Sequence, residues 1–546
     1  MPPNPSRIPP APRLIPPLRR SSMLSRLLPR SQRIALCSRP DSFEVSYPQV
    51  RLAREGGECR AQLWNRGHCG RLKRLLLMLL IALSPVQAAG AADYRDAIGH
   101  RLLQRALGAY APDGRGVRIA QVEAPLQSRP GLWRFASVGT WWPDVDDDEF
   151  EGKHLHFASS EEDGSHSGHA TGVGRLLYGA SSSMASAATD IDLYSATDWM
   201  QGVLRTGSMF FPAQMNARVI NHSWVGSTGS PVYDSEMLRR LDWSINTDRN
   251  VQVVGIGNGN PSPPLLGNAF NVVSVGRSDG RHGSGTAEID SVYREGRTMP
   301  LLVAPMDTTS AATPIVAAAA ATLVQTAQRW PAFSRDEVRT LDGGVLRDGA
   351  RPEVIKAVLM AGASREFETG HGPSEYRQAL ERRSDNGLDR IFGAGQVNTL
   401  NSYAILSGGE QRSAEDGRGG PIEAFGYDFD DEFGGEAGSN EVANYHFRAE
   451  SPHRWLTATL AWNVRISTAS NAAFSGEAEV LDLDLELFDD TEATRVAVSS
   501  SWAENTETIR LPLKAGHDYR IVVRRGDNET EFLWRYALAW RVDAGG

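Results

Sequence analysis

Cysteine is nearly absent from this chain. Among 546 residues there are three cysteines, Cys37, Cys59 and Cys69, and none follows position 69. The rest of the chain therefore has neither a disulfide bond nor a thiol nucleophile. A fold built from it must be stabilised by its hydrophobic core or by bound cations.

A hydrophobic run long enough to cross a membrane is also lacking near the N-terminus. The apolar run from Leu75 to Leu83 has nine residues, which is too few to span a bilayer. It follows three basic residues between positions 71 and 74 and precedes small residues through Ala91, a pattern typical of a secretory signal peptide. We expect cleavage after Ala88 or Ala91, and hence a secreted protein, extracellular or periplasmic, with no membrane association in its mature form.

Basic charge is scarce after the first 74 residues. Residues 1–74 contain 15 Lys+Arg and 4 Asp+Glu, and residues 75–91 contain neither. Since the whole chain has a net charge of −9, residues 92–546 carry −20. Nucleic acids and anionic membranes are therefore excluded as expected partners, because both require a basic surface. We interpret residues 1–70, rich in Pro and Arg, as an unfolded leader or an untranslated stretch, and residues 71–91 as the signal peptide.

Residues 92–407 alternate between predicted strands and helices. The stretch from Gly116 to Glu123 is almost continuously apolar, as in parallel sheets that are covered on both faces. Similar strands are predicted around 190–195, 217–226, 251–256, 272–276 and 301–304, with a helix from Ser235 to Asn246. This order indicates an α/β fold with a doubly wound parallel sheet.

A second domain follows a predicted linker. Residues 408–422 are rich in Gly, Glu, Arg and Ser, which is typical of a connection. Beyond them, Leu481 to Leu487 alternates apolar and acidic residues, as a half-exposed strand does. Further strands are predicted at 455–462, 506–513, 519–523 and 534–542, with Pro512 at an edge or an end. Residues 423–546 are therefore predicted to form an all-β sandwich.

Four polar side chains come at predicted strand ends or helix starts. Glu123 ends the first strand, His169 opens a glycine-rich helix, and Asn258 follows the strand 251–256. Ser310 is predicted to lie just ahead of an Ala-rich helix that starts near Thr313. A hydroxyl there faces the positive end of the helix dipole, although a simple capping role explains it equally well.

These four groups are the set that acyl transfer needs. A serine requires a base, the imidazole requires a carboxylate, and the developing oxyanion requires donors. The surrounding motifs Gly168-His169-x-Thr171, Gly257-Asn258 and Thr309-Ser310-x-Ala-Thr-Pro314 resemble those of subtilisin-like serine peptidases. The sandwich resembles a C-terminal domain found in some members of that family.

The resemblance implies a role for each residue. His169 would be the general base, Glu123 its carboxylate partner, Ser310 the nucleophile and Asn258 an oxyanion donor. The segment Ser223-Trp224-Val225-Gly226 is similar to the one that pairs with substrate in that family. The implied function is an exported monomeric serine endopeptidase acting on proteins or peptides, with no cofactor needed for the chemistry.

Several departures from the family pattern keep alternatives open. Glu123 stands where the family has Asp, and Thr308, Ala311 and Gly172 replace a glycine, a methionine and a histidine. One alternative is an inactive relative that binds peptides or a partner protein. Another is a sedolisin-like acid peptidase, which uses Ser, Glu and Asp without histidine.

Two stretches of the sequence contain candidate metal ligands. The histidines at 154, 156, 166 and 169 suggest a metal-dependent hydrolase, although no His-Glu-x-x-His helix is present. The acidic loop from Asp144 to Glu151 has calcium-like spacing but fails as an EF-hand, because Glu149 replaces the required glycine. Structural calcium there, or at Asp482 and Asp484, stays an open alternative.

Overall fold

The computed structural model describes residues 93–124, 140–159, 166–259, 265–340, 343–369, 372–373, 383–417, 419–467, 474 and 478–544. The predicted leader (1–70), the signal peptide (71–91) and the three cysteines lie outside the described residues. All described residues belong to one compact unit.

Seven parallel strands form the central sheet of the first part. They are β1 Ile119–Glu123, β2 His154–Phe157, β3 Asp190–Ser195, β4 Val219–His222, β5 Val251–Gly255, β6 Val273–Arg277 and β7 Leu302–Ala304. Their order in the sheet is β2–β3–β1–β4–β5–β6–β7. Every residue of β1, β4 and β5 is buried, which explains their nearly continuous apolar sequences.

Helices flank this sheet. They are α1 His100–Leu107, α2 Gly168–Tyr178, α3 Pro231–Asp248, α4 Thr309–Arg329, α5 Pro352–Gly362 and α6 Thr399–Ser407. The hairpin β8 Glu337–Arg339 and β9 Val345–Arg347 lies between α4 and α5. Helix α4 is long and apolar enough to cross a membrane by composition, but it is almost wholly buried and contributes to the main core.

The parallel α/β architecture is as predicted, but three boundaries were wrong. Helix α4 begins at Thr309, not near Thr313, so Ser310 lies inside its first turn and Pro314 lies one turn further in. Helix α3 begins at Pro231, a favoured first-turn residue, not at Ser235. Strand β4 ends at His222, so the segment 223–226 lies beyond the sheet.

The C-terminal part consists of two four-stranded antiparallel sheets. The strands are β10 Phe425–Phe433, β11 Val442–Arg448, β12 Trp455–Ala461, β13 Leu483–Asp489, β14 Thr494–Ser499, β15 Thr506–Pro512, β16 Asp518–Arg525 and β17 Trp534–Asp543. One sheet has the order β10–β17–β12–β15 and the other β11–β16–β13–β14. Pro512 ends the edge strand β15, as predicted. The strands β10, β11 and β14 were missed by sequence.

The sandwich covers one helix of the first part. Every residue of α5 is buried, including Glu353 and Lys356, and strands β12 and β17 pack on it. Glu353 accepts hydrogen bonds from Asn463 and Arg535, each at 2.8 Å. The Lys356 ammonium donates to the carbonyl of Phe270 at 2.6 Å. The segment 408–422 runs along the sandwich, where Ala414 donates to Asn444 at 2.8 Å.

Arg541 on β17 fastens the sandwich to the end of α5. Its guanidinium is 1% exposed and donates to the carbonyls of Ala361 at 2.8 Å and Ala363 at 3.2 Å. The last carbonyls of a helix have no partner within it, so these bonds satisfy groups that would otherwise be buried unpaired.

We predict that Arg541→Met lowers the free energy of unfolding by about 2–4 kcal/mol, because two buried carbonyls and Asp543 lose their donor. Arg448→Met is the matched control, since Arg448 and its partner Asp518 are both more than half exposed. It should change stability by less than about 0.5 kcal/mol. Urea unfolding of residues 92–546 measures both, and equal effects would contradict the prediction.

Candidate active site

Three neighbouring strands bring the predicted site residues to one edge of the sheet. Strands β1, β4 and β5 are adjacent and parallel, so their carboxyl ends meet at the same edge. Glu123 ends β1, Ser223 follows β4 directly, and Asn258 comes three residues after the end of β5. Ligands of open α/β sheets bind at such an edge.

Glu123 and His169 form a direct hydrogen bond. Nδ1 of His169 lies 2.9 Å from Oε2 of Glu123, which is 2% exposed. His169 is the second residue of α2, where the Ser167 side chain caps the helix by accepting from the Ala170 N–H. A carboxylate only accepts, so Nδ1 carries the proton, and in the neutral imidazole Nε2 keeps its lone pair.

Two opposing effects set the pKa of His169. Burial lowers this pKa. The charge of Glu123 and the hydrogen bond to Glu123 raise it by more than burial lowers it, so the pKa of His169 lies above its usual value. Glu123 thus stabilises the protonated imidazole, which a general base must become during reaction.

Ser310 lies at the start of the buried helix α4, whose first residue is Thr309. The capping residue is Thr308, whose hydroxyl accepts from the N–H of Ala311 at 3.2 Å. Neither Thr309 nor Ser310 is the cap, so a capping role does not explain Ser310. Its Oγ lies 3.4 Å from the carbonyl of Ser223, and α4 packs against α2, which carries His169.

Pro314 opens a gap in the hydrogen bonds of α4. Proline has no N–H to offer the carbonyl four residues earlier, which is that of Ser310. The hydroxyl of Ser223 donates to this carbonyl at 3.0 Å, and Asn221 donates to the Ser223 hydroxyl at 3.0 Å. The Ser223 hydroxyl thus replaces the missing helical N–H and joins the turn that carries Ser310 to the end of β4.

Asn258 is fixed to the same turn. Its Oδ1 accepts from the N–H of Thr309 at 2.8 Å, so its Nδ2 faces the other way. The hydroxyl of Thr309 donates to the carbonyl of Ile256 at 2.6 Å. The bond from Thr309 holds the Asn258 amide beside the start of α4.

The predicted substrate segment continues from β4. Ser223 and Trp224 are buried, while Val225 and Gly226 are half-buried. The Trp224 ring lies near His222, with ring centres 6.1 Å apart. The carbonyl of Gly226 accepts from Leu265 at 3.1 Å.

Sequence reasoning missed one buried polar residue next to the site. Gln121 on β1 donates to Oε1 of Glu123 at 3.1 Å. The sequence feature that could have identified Gln121 is a polar residue inside an apolar strand. It comes two positions before Glu123, so both side chains lie on the same face of β1.

The four histidines face three different carboxylates. His154 and His156 lie near Asp190, at 3.4 and 3.8 Å, and His166 lies 3.5 Å from Asp144. In the acidic loop, Asp147 binds Arg175, and Glu149 accepts from Ser181 and Ser182. Each of these histidines and acidic residues thus has a charged or polar neighbour within the protein, and metal binding by them stays a prediction.

Among the described residues, one set of side chains lies close enough together to hold a metal ion, namely Asp489, Glu492 and His517 in the sandwich. Its members already have partners. His517 lies 2.8 Å from Asp489, and Lys514 binds Glu492 at 2.7 Å.

The sequence profile of the Subtilase family, Peptidase S8, matches residues 100–395. The chain belongs to the subtilase family. The seven-stranded parallel sheet with flanking helices is the subtilisin-like fold, and the family supports a serine peptidase.

Solved structures similar to this subtilase include three proteases of low identity. The self-cleaved protease domain of PatA is 16% identical, with 55% of this chain and 99% of that chain covered and a TM-score of 0.34. The prenylagaramide maturation protease PagA is 14% identical, with 56% and 99% covered and a TM-score of 0.35. A cold-adapted subtilisin-like serine proteinase is 18% identical, with 52% and 88% covered and a TM-score of 0.29. Comparison with curated protein sequences gives no match.

Glu123 is the main departure of this subtilase from its family pattern. The observed 2.9 Å contact to His169 is made with a glutamate side chain. An aspartate on the same backbone would withdraw its carboxylate by roughly 1.5 Å, one carbon–carbon bond. The position of β1 relative to α2 is therefore suited to glutamate.

We predict that Glu123→Asp lowers the pKa of His169. Burial continues to lower that pKa, while the more distant carboxylate raises it less. NMR titration of the imidazole, assigned by comparison with His169→Gln, measures the shift. Glu151→Asp is the control, since it makes the same chemical change at an exposed position. An unchanged pKa in Glu123→Asp would show that the backbone accommodates either side chain.

Proposed function

We propose that this subtilase is an exported serine endopeptidase that hydrolyses peptide bonds through an acyl-enzyme. The observation that carries the proposal is the 2.9 Å hydrogen bond between His169 and Glu123 beside the helix turn that bears Ser310. In the neutral imidazole this bond places the proton on Nδ1, so that Nε2 has the lone pair that a base needs.

In the proposed mechanism, Ser310 Oγ attacks the scissile carbonyl carbon as its proton passes to Nε2 of His169. Glu123 stabilises the resulting imidazolium. His169 then returns the proton to the leaving amine, and water repeats the sequence on the acyl-enzyme. Hydroxyl–imidazole contacts are often long without substrate, so rotation of the Ser310 side chain away from Ser223 is part of this scheme.

The oxyanion would be stabilised by two donors. One is Nδ2 of Asn258, whose amide is oriented by the bond from Thr309. The other is the N–H of Ser310, because the first N–H groups of a helix have no partner within it. Such preorganised donors contribute about 10²–10³ in turnover each.

The substrate would be an extended peptide paired with the segment 223–226. That segment lies beyond the end of β4, so its backbone groups are not paired within the sheet, and of its carbonyls that of Gly226 is bonded to Leu265. No cofactor takes part in this chemistry. The histidine–glutamate pair favours this mechanism over a sedolisin-like one, which has no histidine.

The proposal predicts that a fluorophosphonate probe labels Ser310 in residues 92–546. The labelling rate should rise with pH with a midpoint above about 6.5, because the pKa of His169 is raised and only neutral imidazole accepts the proton. Ser310→Ala and His169→Ala should abolish labelling. Folded protein that is not labelled between pH 5 and 9 would instead favour a peptide-binding protein without activity.

Export is proposed from the signal-like pattern of residues 71–91. If it is correct, mass spectrometry of the protein recovered outside the cytoplasm will give an N-terminus after Ala88 or Ala91. Replacing Leu77 and Leu80 with Arg should prevent this cleavage, because the apolar run would be interrupted. An N-terminus within residues 1–60 in the recovered protein would contradict the prediction.

A further inference from the structure

A buried chain of hydrogen bonds lies behind Glu123. Gln121 and Glu123 are alternate residues of β1, so their side chains point to the same face, and they are 1% and 2% exposed. Nε2 of Gln121 donates to Oε1 of Glu123 at 3.1 Å and to the carbonyl of Ala170 at 2.9 Å. The other carboxylate oxygen, Oε2, faces His169.

The direction of this chain follows from its chemistry. The carbonyl of Ala170 can only accept, so the amide nitrogen of Gln121 must face it. Oε1 of Gln121 therefore faces the hydroxyl of Tyr178, which donates at 2.6 Å. Burial first, and the charge of Glu123 second, raise the pKa of Tyr178 well above its usual value, so the phenol keeps its proton.

Both ends of the chain lie on the helix that carries His169. Ala170 is the next residue after His169, and Tyr178 is the last residue of α2. Gly174 makes room for the tyrosine, because a Cβ at that position would lie 2.6 Å from the Tyr178 hydroxyl and 2.8 Å from the ring of Phe150. The helix thus supplies the base at its start and the support for the carboxylate at its end.

We propose that Gln121, oriented by Tyr178, is the positioning residue that fixes the Glu123 carboxylate against His169. The inference rests on the proposed function. Glutamate has one more rotatable bond than aspartate, so its carboxylate has more freedom to turn away. A donor on Oε1 removes that freedom and leaves Oε2 for the imidazole.

The test uses Gln121→Met, which keeps the volume but removes the donor, and Tyr178→Phe, which removes one oxygen. Among the described residues, Glu123 is the titratable group whose charge acts on His169. Loss of its orientation should lower the pKa of His169 in an NMR titration. We expect Gln121→Met to slow fluorophosphonate labelling about 10- to 100-fold, as small misplacements do, and Tyr178→Phe to act in the same direction but less strongly.

Two controls separate positioning from a general loss of structure. Tyr194→Phe removes a hydroxyl on the neighbouring strand β3 that is not part of this chain of hydrogen bonds. It should leave the pKa of His169 and the labelling rate unchanged. In a Glu123→Ala background, Gln121→Met should have no further effect on labelling, because Gln121 acts through Glu123.

The outcomes are distinct. An unchanged His169 titration with wild-type labelling in Gln121→Met would overturn the proposal, as would an equal further loss in the Glu123→Ala background. If the wild-type protein is never labelled, the proposed function fails, while the His169 titration still decides the positioning role. If Gln121→Met does not fold, Tyr178→Phe decides it by the same titration.

Discussion

The parallel pairing of β1, β4 and β5 is the constraint on which the site depends. Adjacent parallel strands are about 4.8 Å apart, so residues that leave their carboxyl ends are held within reach of one another. Glu123, Ser223 and Asn258 come from widely separated positions in the chain and lie at the same edge of the sheet for this reason. Since all three strands are buried, the polar groups near their ends need partners from the protein, and Glu123 and Ser223 find them on the helices that carry His169 and Ser310.

In the first turn of α4, a side chain from outside the helix replaces a helical hydrogen bond that proline cannot make. Pro314 leaves the carbonyl of Ser310 without an N–H, and the hydroxyl of Ser223 takes that place. Asn258 similarly accepts the N–H of Thr309. The turn that bears the serine is therefore held by residues that follow β4 and β5, and its position does not depend on the helix alone.

The sandwich stabilises the first part of the structure through its contact with α5. Helix α5 is buried on all sides, with a glutamate and a lysine that would be costly to bury without partners. Residues of the sandwich supply partners for Glu353, and Arg541 closes the end of the helix. A chain without cysteine after position 69 gains from this contact the kind of stability that disulfide bonds supply in many exported proteins.

Sequence by itself determined the parallel α/β class, the all-β C-terminal part and the types of the four polar groups, because apolar periodicity and the residues at strand ends are local properties. The sequence did not reveal β2, because its four residues are alternately exposed and half-buried. It also did not give the true start of α4, because a proline inside a helix resembles one in the first turn of a helix. Only the tertiary structure decided that Glu123 contacts His169, that Ser223 completes the bonds of Ser310, and that Gln121 and Tyr178 stand behind the carboxylate. These contacts join residues up to 87 positions apart, and only packing fixes the distances between them.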